Sequence, residues 1–342
     1  MKIKKAELPL IEPLYSTYHH QGACTATLIS NPSIKNWTLN ESVDLICNRR
    51  FLHGYSSPQL TIDKSKYEVN PYLEKHFFDL RTDGYQFNAL VRKCIDNGYY
   101  VCFDKIDDYY IKGKTWYKQR HFYHDGIICG YDQEKKQYCI YAYDSNWVYR
   151  KFWTSQKSFN DGLRSMKKNK IDGYINATKP SYEIVSLVPE LIINNLRRYL
   201  DSTFENYPLE QEGEVRGIIV HNYISIYLDK LKDGSISYER MDWRVFRTIW
   251  EHKKVMLERI KRLEEALGLN SELSNDYKTL VVKVNTMRML YASYYLKRRD
   301  TLLQNMSDDL IKVKKKEKEI LEKLIQKAEG VIKDETLELH KK

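Results

Sequence analysis

Two runs of β-branched and aromatic residues, separated by a short polar segment, restrict the possible folds of this chain more than any other part of its sequence. The runs cover residues 123–132 and 138–144. Residues of this kind favour β-strands, and the polar residues 133–137 favour a turn, so the pattern predicts an antiparallel β-hairpin. Folding the hairpin about residue 134 places His124 opposite Asp144, with their Cβ atoms about 5 Å apart.

A histidine beside an aspartate is a typical base, because the carboxylate orients the imidazole and makes it more basic. Such a pair needs a nucleophile, and the candidate is Cys24. Gly22 favours a tight turn, and the small residues after it favour the start of a helix. At a helix N-terminus the macrodipole and the free N–H groups favour a thiolate, and they can also face an oxyanion. The alternative for Cys24 is a buried structural cysteine, the commoner environment of a thiol.

Other residues near the hairpin compete for the roles of base and orienting group. His121 could be the base, but it would lie opposite Trp147, so we favour His124. Asn146 could orient the imidazole in place of Asp144. The register of the hairpin decides between these possibilities, because a slip of one residue turns a side chain to the other face of the sheet.

Composition places the chain among globular proteins. Of its 342 residues, 42% are hydrophobic and 30% are charged, and no apolar run approaches the roughly 20 residues that cross a bilayer. The first residues lack the apolar segment of a signal peptide, so we expect a cytoplasmic protein that does not bind membranes. The six cysteines form no CxxC pair, which gives no indication of zinc or of a thioredoxin motif, and we expect free thiols.

The net charge of +10 permits several kinds of acidic partner. A basic protein can bind nucleic acid, an anionic membrane or an acidic protein, although solvated lysine-rich helices explain the charge more simply. The basic and aromatic residues 112–120 could form a strip for nucleic acid. They lead directly into His121 and His124, however, so we interpret them as a loop beside the site and predict no nucleic-acid partner.

The second half of the chain has a different pattern from the first. Before residue 189 the sequence predicts further helices over 38–47, 83–95 and 155–166, and further strands over 99–103, 147–153 and 182–188. From Pro189 onward it predicts helices, over 189–204, 216–231, 242–267, 274–305 and from 307. We therefore predict two domains, residues 1–188 and 189–342, and expect the apolar stripes of the second domain to form the core of a helical bundle.

The chain order Cys24, His124, Asp144 resembles that of papain-like proteins, and more closely that of the peptidase-C39-like group. Four groups of residues are similar to the family named for the N-terminal domain of the butirosin biosynthesis protein H. They are residues 21–24, residues 98–101 with 108–110, residues 121–126 and residues 130–132. The similarity covers roughly residues 15–175. It implies an α+β, papain-like fold with a helical front and an antiparallel sheet, followed by the helical C-terminal region.

The family resemblance implies a cysteine-dependent, amide-forming acyltransferase of antibiotic biosynthesis, and the closthioamide amide-forming enzyme is a relative of this kind. The implied donor is a thioester on the phosphopantetheine arm of an acidic acyl or peptidyl carrier protein, and the implied acceptor is a small-molecule amine. No bound cofactor is implied. In the implied mechanism, His124 takes the proton of Cys24, Asp144 holds the imidazole, and His124 later deprotonates the amine.

One position departs from the papain-like pattern. Papain-like peptidases usually carry an oxyanion glutamine six residues before the cysteine, where this chain has Tyr18. The nearest glutamine is Gln21, and we expect its side chain and the backbone N–H of Cys24 to form the oxyanion hole. His19 and His20 are expected to line the pocket, because as metal ligands they lack partners, and no metal is predicted.

Three functional interpretations remain open from the sequence. The first is the acyltransferase, the second is a C39-type cysteine peptidase, and the third is a binding protein on the same scaffold. The helical region could cover the cleft, dock the carrier protein or form a homodimer interface. Lysines within residues 312–318 could attract an acidic carrier, although the alternative is an ordinary solvated helix face.

Overall fold

A computed structural model describes residues 4–18, 26–41, 43–54, 57–63, 70–78, 84–202 and 213–339. The strands are β1 Lys5–Glu7, β2 Leu45–Asn48, β3 Thr61–Ile62, β4 Leu73–Phe78, β5 Tyr100–Asp107, β6 Tyr123–Asp132, β7 Gln137–Tyr143, β8 Tyr149–Ser155, β9 Ile175–Pro180 and β10 Glu214–Arg216. The labelled α-helices are α1 Lys35–Glu41, α2 Gly84–Asp96, α3 Gln156–Lys168, α4 Pro189–Asp201, α5 Val220–Lys232, α6 Val245–Ala266, α7 Glu272–Lys297 and α8 Met306–Leu339.

The chain divides into two compact units. The first unit comprises residues 1–35 and 69–184, and the second comprises residues 36–68 and 185–342. The predicted division into 1–188 and 189–342 places the segment 36–68 in the first domain, whereas the compact units place it in the second. The reason is long-range pairing, because β2 in this segment pairs with β10 and β3 to form a three-stranded sheet of the second unit.

An antiparallel sheet of seven strands forms the centre of the first unit. Six strands follow the order β4-β9-β5-β6-β7-β8, and β1 pairs with the far end of β6. Strand β5 covers residues 123–128 of β6, and β1 continues along the same edge at residues 130–132. The architecture is α+β with an antiparallel sheet and a helical C-terminal region, as the sequence predicted at that level.

The predicted hairpin is confirmed as β6 and β7. Ile127 pairs with Tyr141, the register that follows from a fold about residue 134, and an irregularity between Ile128 and Gly130 shifts the later pairs by one residue. Gly130 is required there because β1 passes close by. A Cβ at this position would lie 2.7 Å from the carbonyl oxygen of Ala6.

The core of the first unit lies between the sheet and two helices. Phe87 of α2 and Phe159 of α3 stack with ring centroids 5.5 Å apart, and both pack against buried strand residues such as Val101 and Ile128. Ser155 caps α3 by accepting a hydrogen bond from the N–H of Ser158. The predicted helices over 83–95 and 155–166 are therefore confirmed with small changes at their ends.

The second unit is mainly helical. The stripe predicted over the long fourth helix is buried in α7, and its members are Leu280, Val284, Met287, Tyr291 and Tyr294. Most of the stripe predicted over 242–267 is buried or half-buried in α6. Trp243 is an exception, because it precedes α6 and is 40% exposed.

Two predicted elements differ from the structure. The helix predicted over 38–47 is α1 over Lys35–Glu41, and residues 45–47 belong to β2. Burial against partner strands outweighed the local helix signal, since Leu45 and Cys47 have no exposed surface. The strand predicted over 182–188 is irregular, and the last strand of the large sheet is β9, Ile175–Pro180. Among the described residues, no helix combines the length and the apolar character needed to cross a membrane.

Candidate functional site: two histidine–aspartate pairs

The candidate site begins where β5 ends. Asp107 is the last residue of β5 and Asp108 begins a short 3-10 helix, Asp108–Tyr110. Asp107 caps this helix, because its Oδ1 accepts a hydrogen bond from the N–H of Tyr109 at 3.1 Å. The N–H of Asp108 donates to the carbonyl of Phe122 at 2.8 Å, which holds the turn against the start of β6.

His124 binds Asp108. Its Nδ1 lies 3.1 Å from Oδ2 of Asp108. Ile106 pairs with His124 across the strands, and Asp108 lies two residues farther along, which makes it a diagonal neighbour of His124 within side-chain reach. The His124 side chain is 23% exposed and that of Asp108 is 2% exposed. The carboxylate is thus buried behind an imidazole that remains partly accessible.

Lys114 balances the charge of the buried carboxylate. Its Nζ lies 3.5 Å from Oδ1 of Asp108, and the lysine side chain is 1% exposed. The loop that carries Lys114 is fixed to the next turn of the sheet, because the N–H of Ser145 donates to the carbonyl of Gly113 at 2.7 Å. A buried cation beside a buried carboxylate offsets part of the desolvation of both groups.

Asp144 does not have the role predicted for it. The hairpin register agrees with the prediction, but the carboxylate that bonds to the imidazole of His124 is that of Asp108. Oδ1 of Asp144 accepts from the N–H groups of Asn146 and Val148, at 2.8 and 2.9 Å, and Oδ2 pairs with Arg150. Burial raises the pKa of Asp144, but the two backbone N–H groups and Arg150 outweigh burial, so its pKa is lowered. Asp144 therefore organises the turn after β7.

A second histidine is paired in the same way. Nδ1 of His121 lies 2.7 Å from Oδ2 of Asp107, which has no exposed surface. The same oxygen accepts a hydrogen bond from Ser165 Oγ of α3 at 2.5 Å. The His121 ring stacks on Tyr109, with centroids 4.6 Å apart, and is 52% exposed. Consecutive aspartates thus orient two histidines, an arrangement that the sequence analysis missed because it ended β5 at residue 103.

Aromatic rings surround the approach to His124. Phe122 meets the imidazole edge-on, with centroids 4.7 Å apart. The guanidinium of Arg120 lies 3.5 Å from the centroid of the Trp116 ring and 5.3 Å from that of Phe122. These residues belong to the loop predicted to lie beside the site. Apolar rings beside a partly accessible base limit water there, and the exposed Arg120 adds a positive charge.

The remaining predicted site residues are distributed as follows. Cys24, Gln21 and His20 lie outside the described residues. Tyr18 is half-buried, and Asn146 is an exposed residue of the turn after β7.

Ala26 is the first described residue after Cys24, and it packs against the large sheet. Ala26 is helical and belongs to a fully buried cluster with Ile127 of β6 and Tyr141 of β7. Ala26 therefore packs against the central strands of the first unit.

The buried cysteines among the described residues lack the features of a nucleophile. Burial raises the pKa of Cys47 to about 12 and that of Cys94 to about 11. The pKa of Cys129 is raised by its interaction with Cys139 and by burial, whereas that interaction lowers the pKa of Cys139. Cys139 is nevertheless only 1% exposed. Within the described ranges, no group of three or more His, Cys, Asp or Glu side chains is arranged to hold a metal ion.

The second unit contains a buried ionic network that the sequence did not predict. Nζ of Lys253 in α6 lies 2.6 and 2.7 Å from the two carboxylate oxygens of Glu317 in α8. The hydroxyls of Tyr277 and Tyr199 also donate to Glu317. Nε2 of His221 lies 3.6 Å from the same carboxylate.

A second histidine completes this network. His252 lies between the carbonyl of Val43, 2.7 Å from its Nε2, and Nζ of Lys253, 3.4 Å from its Nδ1. Burial is the largest influence on both histidines. It lowers the pKa of His221 to about 3 and that of His252 well below its usual value. Both rings are therefore neutral at neutral pH.

The predicted basic face of residues 312–318 is mixed in charge. Glu317 points into the core, and Lys312, Lys316 and Lys318 pair with nearby carboxylates at 3.6 to 4.0 Å. This segment is therefore an amphipathic helix face with paired surface charges, which weakens the interpretation as a docking face for an acidic carrier.

Comparison with protein-family models gives no matching family, and comparison with curated proteins gives no match either.

Proposed function

We propose that this protein is a cysteine-dependent acyltransferase with a papain-like catalytic unit, in which His124 activates Cys24 and Asp108 orients His124. The observation that carries the proposal is the hydrogen bond between Nδ1 of His124 and the buried carboxylate of Asp108. A buried carboxylate at one ring nitrogen fixes the tautomer and leaves the other nitrogen as the basic one. It also stabilises the imidazolium that forms when the ring accepts a proton.

One observation supports Cys24 as the nucleophile. The buried thiols of Cys47 and Cys94 have raised pKa values, whereas an attacking cysteine needs an accessible thiolate. The similarity of residues 21–24 to the butirosin-family motif adds to this assignment.

The proposed chemistry follows from these groups. His124 takes the proton of Cys24, and the thiolate attacks the carbonyl carbon of a thioester. The new Cys24 C–S bond forms as the donor C–S bond breaks, and the released thiolate takes the proton from His124. Exchange of one thioester for another is close to neutral in free energy, so the acyl-enzyme can accumulate. An amine then displaces Cys24 and forms an amide.

A carrier-bound thioester is the proposed donor. The family resemblance supports it, and so does the exposed Arg120 on the loop that leads into His124, because a phosphopantetheine arm carries a phosphate. The proposed acceptor is a small-molecule amine. Hydrolysis of a peptide by the same residues is the second candidate, since it uses the same nucleophile and base.

The test uses N-acetylcysteamine thioesters of acetate and benzoate as donor probes. Intact-mass measurement of the full chain should show a single acyl adduct, and peptide mapping should locate it on Cys24. Cys24→Ala should abolish the adduct. An adduct on another cysteine would contradict the assignment, and cleavage of peptides without any reaction with thioesters would favour the peptidase.

A matched pair of aspartate variants tests the orienting residue. Asp108→Asn should slow acylation by about 100-fold or more, because the amide no longer stabilises the imidazolium, whereas Asp144→Asn should change the rate by less than about threefold. Asp108→Asn also leaves Lys114 without its counter-ion, so Asp108→Asn/Lys114→Met should be compared, with folding checked by circular dichroism. If Asp144→Asn slows acylation as much as Asp108→Asn does, Asp144 is the residue that orients His124.

A further inference from the structure

We infer that His121 is a second base of the same site and that it removes a proton from the acceptor amine. This inference rests on the proposed acyltransferase function. It concerns the second half of the reaction, in which the acyl group leaves Cys24. The observations are the buried Asp107 that holds the His121 ring, the stacking of that ring on Tyr109, and its exposed outer edge.

The carboxylate of Asp107 is held more firmly than a surface carboxylate. It accepts hydrogen bonds from Ser165 Oγ at 2.5 Å and from the N–H of Tyr109 at 3.1 Å, in addition to its contact with His121 at 2.7 Å. These bonds join β5, the following turn and α3. A fixed carboxylate at Nδ1 keeps the ring proton on that nitrogen, so Nε2 is the nitrogen that accepts a further proton.

The two histidines differ in how open they are to solvent. His124 is 23% exposed and meets Phe122, whereas His121 is 52% exposed and lies flat on Tyr109. Both are held by consecutive residues of one turn, Asp107 and Asp108. His121 therefore has the orientation of a catalytic base together with a path by which a proton can leave for water.

The proton balance of amide formation requires two acceptors. An alkylamine has a pKa of about 10, so at neutral pH it arrives as an ammonium ion and loses two protons in becoming an amide. As the C–N bond forms, the bond between the acyl carbon and Cys24 Sγ breaks. One proton returns through His124 to the thiolate of Cys24. The other passes to Nε2 of His121 and then to solvent.

A chase experiment tests this division of roles. The full-length protein is acylated with the benzoyl thioester of N-acetylcysteamine, desalted and mixed with n-butylamine or with hydroxylamine, which enters mainly as the neutral base. In His121→Gln, transfer to n-butylamine should slow by about 100-fold, and transfer to hydroxylamine by less than about threefold. Added imidazole should restore transfer to n-butylamine in His121→Ala. His76→Gln is the matched control. His76 also contacts a carboxylate, that of Glu74 at 2.6 Å, but unlike Asp107 this carboxylate is about half exposed. The control should transfer the acyl group at the wild-type rate.

Each outcome separates this inference from the proposed function. If the wild-type chain forms no acyl-Cys24, the proposed function itself fails. If His121→Gln is acylated and passes its acyl group to n-butylamine as fast as the wild type, His121 is not the base and the acyltransferase proposal stands. An equal slowing with both amines, without rescue by imidazole, would show that His121 is structural and would overturn the inference.

Discussion

Replacing Lys253 with methionine removes the cation from a fully buried ion pair, and we expect it to lower the free energy of unfolding of the helical unit by about 3–5 kcal/mol. The two side chains have no exposed surface, and their closest atoms are 2.6 Å apart. At that distance and an effective dielectric constant of about 20, the attraction is about 6 kcal/mol. Hydroxyl donors from Tyr277 and Tyr199 still solvate Glu317 in the variant, so the net loss should be smaller than the full attraction.

The same reasoning predicts strong coupling between the two charged residues. Glu317→Leu leaves the ammonium of Lys253 buried and should lower the free energy of unfolding by at least about 3–5 kcal/mol. In Lys253→Met/Glu317→Leu neither charge is left alone, and the remaining cost is that of two tyrosine hydroxyls without an acceptor, about 1–3 kcal/mol each. Glu317→Leu alone leaves the same two hydroxyls without an acceptor and a buried ammonium as well, so the double variant should lose less stability than Glu317→Leu.

Urea unfolding of the full chain, followed by circular dichroism at 222 nm, measures these changes in the helical unit. Lys254→Met is the matched control, because the neighbouring Lys254 is partly exposed and lies 4.6 Å from the Trp250 ring centroid. Lys254→Met should lower the free energy of unfolding by less than about 1 kcal/mol. Additive losses in the double variant, or a loss in Lys253→Met no larger than in the control, would refute the argument that this pair stabilises the bundle.

Three further predictions follow from other parts of the structure. As the pH falls from about 6 to about 5, the free energy of unfolding of the helical unit should decrease by about 1.4 kcal/mol per pH unit. The unfolded chain binds protons at His221 and His252, which burial keeps neutral in the folded chain. Asp44, whose pKa burial raises to about 6, binds a proton in the folded chain and offsets one of these two. His221→Gln should make this dependence nearly flat in urea titrations, and a flat profile in the wild type would contradict it. Gly126→Ala should lower the free energy of unfolding by about 1–3 kcal/mol, because the added Cβ would lie 2.6 Å from a Phe103 ring carbon. Gly330→Ala should raise it by about 0.5–1 kcal/mol, because nothing lies within 4 Å of the added Cβ. Thermal melts of the two variants measure these changes. Cys94, whose pKa burial raises to about 11, should resist iodoacetamide at pH 8, and rapid labelling in a peptide map would show that its helix opens.

The fold and the candidate site differ in how far the sequence predicted them. The hairpin, the helices α2 and α3 and the long helices of the second unit were predicted because each depends on a pattern within a few residues of itself. His124 was selected as the base because it begins a strand of that hairpin. Its partner was missed because Asp108 reaches it from the short helix after β5, and the predicted strand ended at residue 103.

Other differences have the same origin. The ion pair of Lys253 and Glu317 joins residues 64 positions apart, and in the sequence Glu317 lies within a run of lysines that indicates a solvated helix face. Segment 36–68 was assigned to the first domain because it precedes most of that domain in the chain. Its strand β2 pairs instead with β10, more than 160 residues later.

The sequence by itself determined the local elements and the hairpin register near Ile127, because side-chain periodicity and turn chemistry are local. The tertiary structure alone decided that Asp108 orients His124, that Asp107 orients His121, and that a lysine and a glutamate are buried together in the bundle. These contacts depend on which distant surfaces are removed from water together. A buried charge is stable only where the rest of the chain brings its partner within about 3 Å, and no local pattern records that distance.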